Sequence, residues 1–239
     1  MSARAATIRP VGLPRRIPLT ALALASLVLV TTALVFVFYV APNDVRGLGF
    51  SQKIFYFHVS IAFTAYACFI AGAWKALRHL WKRDPDADLA SYVCVHQGII
   101  FGTMVLVTGS IWAKYAWGHW WVWGEDELVL FLVVFLFYCA YFMLRFSLDP
   151  GPQRANLSAV YALFGVILIP VSFAAIRLSK EFLHPRVFTL HGPNFGGWIL
   201  VTYCIAQAAM FVLAYTLYRI EAAGKRLDLR LRDLREAVA

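Results

Sequence analysis

Charge is what this sequence has least of. Of 239 residues only 15% are Asp, Glu, Lys or Arg, while 61% are hydrophobic, which excludes the solvated surface of an ordinary soluble domain. Acidic residues are the scarcer kind, 13 against 22 Lys+Arg, leaving a net charge of +9. That surplus forms no continuous patch: the basic residues flank apolar runs, so no nucleic-acid partner is expected. Cysteine is also sparse. Cys68, Cys94, Cys139 and Cys204 all fall inside apolar runs and form no C-x-x-C pair, so nothing supports a zinc ribbon or a redox dithiol. Internal repeats, low-complexity tracts and long polar connections are missing too. The short connections leave no room for a separate catalytic domain, and no enzymatic activity is expected.

What fills the chain is a series of apolar runs, each long enough to cross about 30 Å of hydrocarbon as a helix. Six are predicted, near Leu19–Val40, Ile54–Trp74, Leu89–Ala113, Leu128–Phe146, Leu157–Ile176 and Trp198–Tyr218. The first follows Arg15 and Arg16 like the front of a signal peptide. Its apolar core is too long for one, and it reads as a retained span. The expectation is an all-α, polytopic six-helix bundle in the lipid bilayer, with residues 1–218 as one transmembrane domain and 219–239 as an amphipathic tail. Lys and Arg mark the cytoplasmic side of short loops. With six spans, 16 of the 22 basic residues fall on the side of the two termini, which places both termini in the cytoplasm and the loop after span three outside. In the tail, Leu227, Leu231 and Leu234 recur at helical spacing among alternating charges, as in an interfacial helix or a docking surface. Pro170 falls inside span five, where it removes one backbone donor and suggests a kink.

The three outward loops are selective in their polar residues. The segment WGHWWVWGEDEL, Trp117 to Leu128, holds four of the eight tryptophans and then turns acidic. His58 lies about one turn into span two, and His184 and His191 lie before span six, so the topology brings these histidines to the side of the tryptophans. An interfacial aromatic belt accounts for single indoles at this depth. The density of Trp117, Trp120, Trp121 and Trp123 suggests in addition a platform for a flat apolar ligand. A porphyrin fits, with two histidines on its iron. Lys53, Lys114, Lys180 and Arg186 are the cations available to its propionates.

The stretch TGSIWAKYAWGHWWVW resembles the tryptophan-rich "WWD" signature of haem-handling proteins in cytochrome c maturation. With six spans, YFHV at the start of span two and a histidine before span six, the chain is similar to the haem exporter protein C family of the bacterial system I pathway. The resemblance covers roughly residues 50 to 198. It implies that His58 in YFHV and His184 in EFLHP ligate haem b non-covalently, and that Trp117, Gly118, Trp120, Trp121 and Trp123 form the platform within the 117–127 segment. It implies a haem site on the periplasmic face of the bacterial inner membrane, from which haem is presented to a membrane-anchored haem chaperone. Association with an ATP-binding cassette transporter complex and a small membrane subunit is implied as well. The family pattern has Asp directly after the last tryptophan. Here Gly124 stands there, followed by Glu125, Asp126 and Glu127, and Glu127 matches a second acidic position of some larger system II relatives. His119 occupies a variable position within the platform and is a lesser candidate.

The other histidines read differently. His191 is a rival ligand or a loop residue, and His79 is expected to be solvated in a cytoplasmic turn. His96, beside Gln97 inside span three, is expected either to make an interhelical hydrogen bond or to serve as an inner haem station. Two alternative functions stay open on sequence: a quinol-linked di-haem electron carrier, and a structural transporter subunit without haem.

Overall fold

The computed structural model describes residues 17–43, 49–178, 183–184, 187–189 and 192–238, without the side chains of 175–178 and 189. His191, Lys180 and Arg186 lie outside the described residues. Six helices follow one another: α1 Leu19–Val35, α2 Lys53–Lys82, α3 Pro85–Trp117, α4 Asp126–Ser147, α5 Pro152–Leu178 and α6 Gly197–Val238. A π-helical turn, Phe36–Val40, extends α1, and a 3-10 turn, Gly49–Gln52, leads into α2. Among the described residues, six helices are long and apolar enough to cross a membrane, so the expected all-α membrane bundle is the observed fold. In hydrocarbon the backbone must satisfy its own hydrogen bonds, and helices do so within one segment. A two-residue hairpin, β1 Phe188–Thr189 with β2 Gly192–Pro193, lies in the loop before α6.

Helix α2 is the centre of the bundle, packed along α3 and also against α5 and α6. On one side a core of Phe69, Phe101, Val134, Tyr138 and Tyr141 joins α2 to α3, α4 and α5. There the Phe69 and Tyr138 rings stack at 3.9 Å, nearly parallel. On the other side Val37, Tyr56, Ala206 and Ala209 join α2 to the end of α1 and to α6. Small residues let α1 and α6 approach closely, and the hydroxyls of Ser26 and Thr216 hydrogen-bond between them at 2.7 Å. Pro170 sits within α5, which continues past it to Leu178.

At one end of the bundle α2 turns into α3. Asp84 caps α3, its Oδ1 accepting from the Asp86 N–H at 3.0 Å, with Pro85 at the first helical position. His79 corrects the sequence reading: it is 6% exposed, and its Nδ1–H donates to the Asp84 carbonyl at 2.8 Å. The imidazole closes the turn instead of meeting solvent. At the same end Arg145 of α4 is 6% exposed and makes two parallel bonds to Asp88 of α3, at 2.8 and 2.7 Å.

Helix α6 runs unbroken through Tyr218 to Val238, 42 residues in all. At about 1.5 Å per residue it is roughly twice the length that hydrocarbon requires. The amphipathic tail is thus a direct continuation of the sixth span. Its first turns still belong to the bundle, because Glu221 reaches back to α3. The Glu221 carboxylate accepts from His96 Nδ1–H at 2.8 Å and from Gln97 Nε2–H at 2.7 Å. The interhelical bond expected of His96 is therefore present.

Candidate functional site

The opposite end of the bundle carries the tryptophans. Helix α3 stops at Trp117 because Gly118 takes a left-handed conformation, φ 77°, and returns its N–H to the Lys114 carbonyl at 3.2 Å. A side chain at 118 would be strained, so the glycine fixes where the loop leaves the helix. The loop 118–125 then leads to α4, whose N-cap is Glu125.

His58 lies on α2 with its ring against α3. Its Nδ1 is 2.9 Å from Thr108 Oγ1, and the Thr108 hydroxyl hydrogen goes to the Met104 carbonyl at 2.7 Å. The threonine has no second proton to give, so Nδ1–H is the donor and Nε2 the basic nitrogen of His58. Close packing here depends on Gly109, where an added Cβ would stand 2.9 Å from His58 Cε1.

His184 comes from the loop before α6, and its ring centroid is 6.4 Å from that of His58, inclined by 45°. Its Nδ1 lies 3.0 Å from Glu127 Oε2, at ion-pair distance rather than in a linear hydrogen bond. A carboxylate facing Nδ1 favours the proton there and leaves Nε2 as the basic nitrogen. One residue earlier, the Leu183 N–H donates to Glu125 Oε2 at 2.6 Å. Glu125 is 3% exposed. Two carboxylates at the start of α4, the N-cap Glu125 and Glu127 of the first turn, therefore meet the histidine loop, one bonded to its backbone and one beside its ring.

The indoles divide into two groups. Trp117 and Trp112 of α3 meet edge to face at 5.1 Å, and both lie beside His184, at 6.3 and 6.2 Å. Trp121 and Trp123 form a second edge-to-face pair at 5.8 Å in the loop. Trp120 and Trp123 are 59% and 74% exposed. The Trp121 ring is half-buried and its Nε1–H has no acceptor among the described residues. His119 and Asp126 are exposed.

Of the cations named for an anionic ligand, Lys53 is 3% exposed and donates to the Ala41 carbonyl at 2.7 Å. Lys114 donates to the Gly118 carbonyl at 2.9 Å, at the surface. Lys53 is thus a structural tie between α2 and the end of α1. Sequence reasoning missed Thr108, Gly109 and Trp112 as site residues. Trp112 stood inside the quoted tryptophan stretch, five residues before Trp117. Thr108 and Gly109 open the same stretch, but the contact each makes with His58 exists only once α2 lies on α3.

The sequence profile of the family described as "Heme exporter protein C" matches residues 8–235. The chain belongs to the haem exporter protein C family. Heme exporter protein C of Paracoccus denitrificans is 30% identical over 146 residues, 61% of this chain and 60% of that protein. The protein of the same description from Rhodobacter capsulatus is 26% identical over 219 residues, 90% of each chain. A mitochondrial protein of Marchantia polymorpha, described as ccmC-like and of cytochrome c biosynthesis, is 27% identical over 183 residues, 77% of each chain. The match thus reaches three fifths of the Paracoccus protein and nearly all of the Rhodobacter one.

Proposed function

We propose that this chain binds haem b non-covalently at the tryptophan end of the bundle and delivers it for cytochrome c maturation. His58 and His184 hold the iron through Nε2, Trp112 and Trp117 flank His184, and the loop tryptophans offer ring faces to the macrocycle. The observation that carries this reading is the pairing of the histidines: two imidazoles from different elements, 6.4 Å apart, Nδ1 of His58 bonded to Thr108 and Nδ1 of His184 facing Glu127 at 3.0 Å. A neutral imidazole whose second nitrogen faces an oxygen is the usual form of a metal-ligating histidine, so both rings would suit haem iron. The orphaned Trp121 N–H is the donor that a propionate or other acceptor of the ligand would satisfy. When bound, haem supplies only its own redox and ligand chemistry. The chain fixes the imidazole tautomers and presents the aromatic surface.

The surplus of Lys and Arg at the other end supports an outward, periplasmic haem face with cytoplasmic termini in a bacterial inner membrane. Family membership supports the further reading that haem is presented to a membrane-anchored chaperone in company with ATP-binding cassette subunits and a small membrane subunit. Against the di-haem electron-carrier reading stands the setting of His96, whose ring lies beside Tyr92 and Phe142 with no second histidine ring against it among the described residues.

The test is spectroscopic. Purified protein is expected to show a b-type haem absorption spectrum that disappears in the His58→Ala/His184→Ala variant. Retention of the wild-type spectrum by that variant would remove the proposed ligands.

A further inference from the structure

A second concavity lies at the end of the bundle away from the tryptophans, between α2, α3 and α6, with a volume of about 740 Å³. That is within the size range of small-ligand pockets. Its walls are small and apolar: Ala67, Ala71, Ala90 and Ala214, with Phe211 and Cys68. Its polar lining includes Lys75, Arg78, Arg219 and Arg226, against Asp84 and Asp86. Two of the cations are compensated, Arg78 by Asp84 at 2.9 Å and Arg226 by Asp86 at 3.2 Å. Lys75 of α2 and Arg219 of α6 have no carboxylate within 4.0 Å among the described residues. Both are half-buried in the cavity wall.

We infer that this cavity is a binding site for one anionic phospholipid, one of its two acyl chains against the alanine wall and its phosphate between Lys75 and Arg219. The charge pattern selects the ligand class. Two uncompensated cations beside an apolar wall match an amphiphile with an anionic head, and a membrane span is surrounded by such molecules. The lining contains neither histidine nor tryptophan, the two residue types that distinguish the proposed haem site. The inference shares only the membrane orientation with the preceding proposal and stands or falls without haem.

The experiment titrates detergent-purified full-length protein with phosphatidylglycerol or with phosphatidylcholine of the same acyl chains, read by native mass spectrometry. One phosphatidylglycerol per chain is expected to be retained in preference to phosphatidylcholine. The Lys75→Gln/Arg219→Gln variant should lose that preference roughly tenfold or more, as expected when two cations leave an anionic headgroup. The charge-preserving Lys75→Arg/Arg219→Lys variant should keep it, which separates loss of charge from loss of fold. Equal retention of the two lipids, or unchanged retention in the glutamine variant, overturns the site. So does displacement of phosphatidylglycerol by haem from His58→Ala/His184→Ala protein, which would assign the cavity to haem.

Discussion

His184 and His96 each stand beside a glutamate, 3.0 Å from Glu127 and 2.8 Å from Glu221. His96 belongs to α3, its partner to α6, and Gln97 holds the other oxygen of the same carboxylate. The pair joins two regular helices, and Tyr92 lies parallel to the imidazole at 6.3 Å. His184 sits in a loop, with a second imidazole and two indoles within 6.4 Å of its ring. The carboxylate bonds the imidazole of His96 and lies at ion-pair distance from that of His184. What differs is what the rest of the ring meets: helix packing at one end, an aromatic surface and another basic nitrogen at the other. An imidazole–carboxylate pair is therefore no sign of a ligand site until its far side has been described.

The comparison is sharpest at Glu127. Replacing it with Ala removes the group facing His184 Nδ1, and loss of such a partner costs about 10–100-fold in metal affinity. Haem titration followed by absorbance should show that weakening, and unchanged affinity would mean that Glu127 does not orient the ring. Gly109→Ala comes next. The new Cβ would press on His58 Cε1; overpacking costs about 1–3 kcal/mol in all, and a share of about 1 kcal/mol falling on the bound state weakens haem binding roughly fivefold. A variant with native affinity and an unaltered low-temperature electron paramagnetic resonance spectrum would show that His58 has room to move. The smallest effect on haem is expected from Glu221→Ala at the other end. It leaves the His96 and Gln97 donors unmet, costing about 1–3 kcal/mol of stability. Thermal unfolding in detergent should register that loss while the haem spectrum stays native. A changed spectrum would tie His96 to haem and dissolve the contrast between the two ends.

Six apolar runs are legible because a membrane span is a local property of composition and length, and all six expected runs lie within observed helices. The boundary at Tyr218 was not legible. Hydropathy falls there because charges begin, yet helix formation does not depend on burial alone, and α6 continues on good helix formers such as Leu, Arg and Ala. Glu221 looked like the first turn of a solvated tail for the same reason: its partners lie 124 and 125 residues away in sequence. His79 was misread because a histidine among Lys and Trp at a turn gives no hint that a neighbouring carbonyl will fold back onto it. The departure at Gly124 has a physical explanation. The buried carboxylate that holds the histidine loop comes from Glu125, while position 124 is open enough that an added Cβ would meet nothing within 4 Å. A carboxylate one residue beyond the usual place is legible in the sequence, but its burial and its bond to the histidine loop are visible only in the fold.

Helix α6 starts at Gly197, a few residues beyond the loop that carries His184, and ends at Val238 past the opposite end of the bundle. A continuous helix has no joint at which axial or rotational displacement can be absorbed, only gentle curvature. The two faces of the membrane are therefore linked mechanically by one rod, clamped near its middle where Glu221 grips α3. Torque applied to the projecting end meets that clamp before it meets the loop that carries His184, so the stiffness of the clamp sets how much of the motion is transmitted.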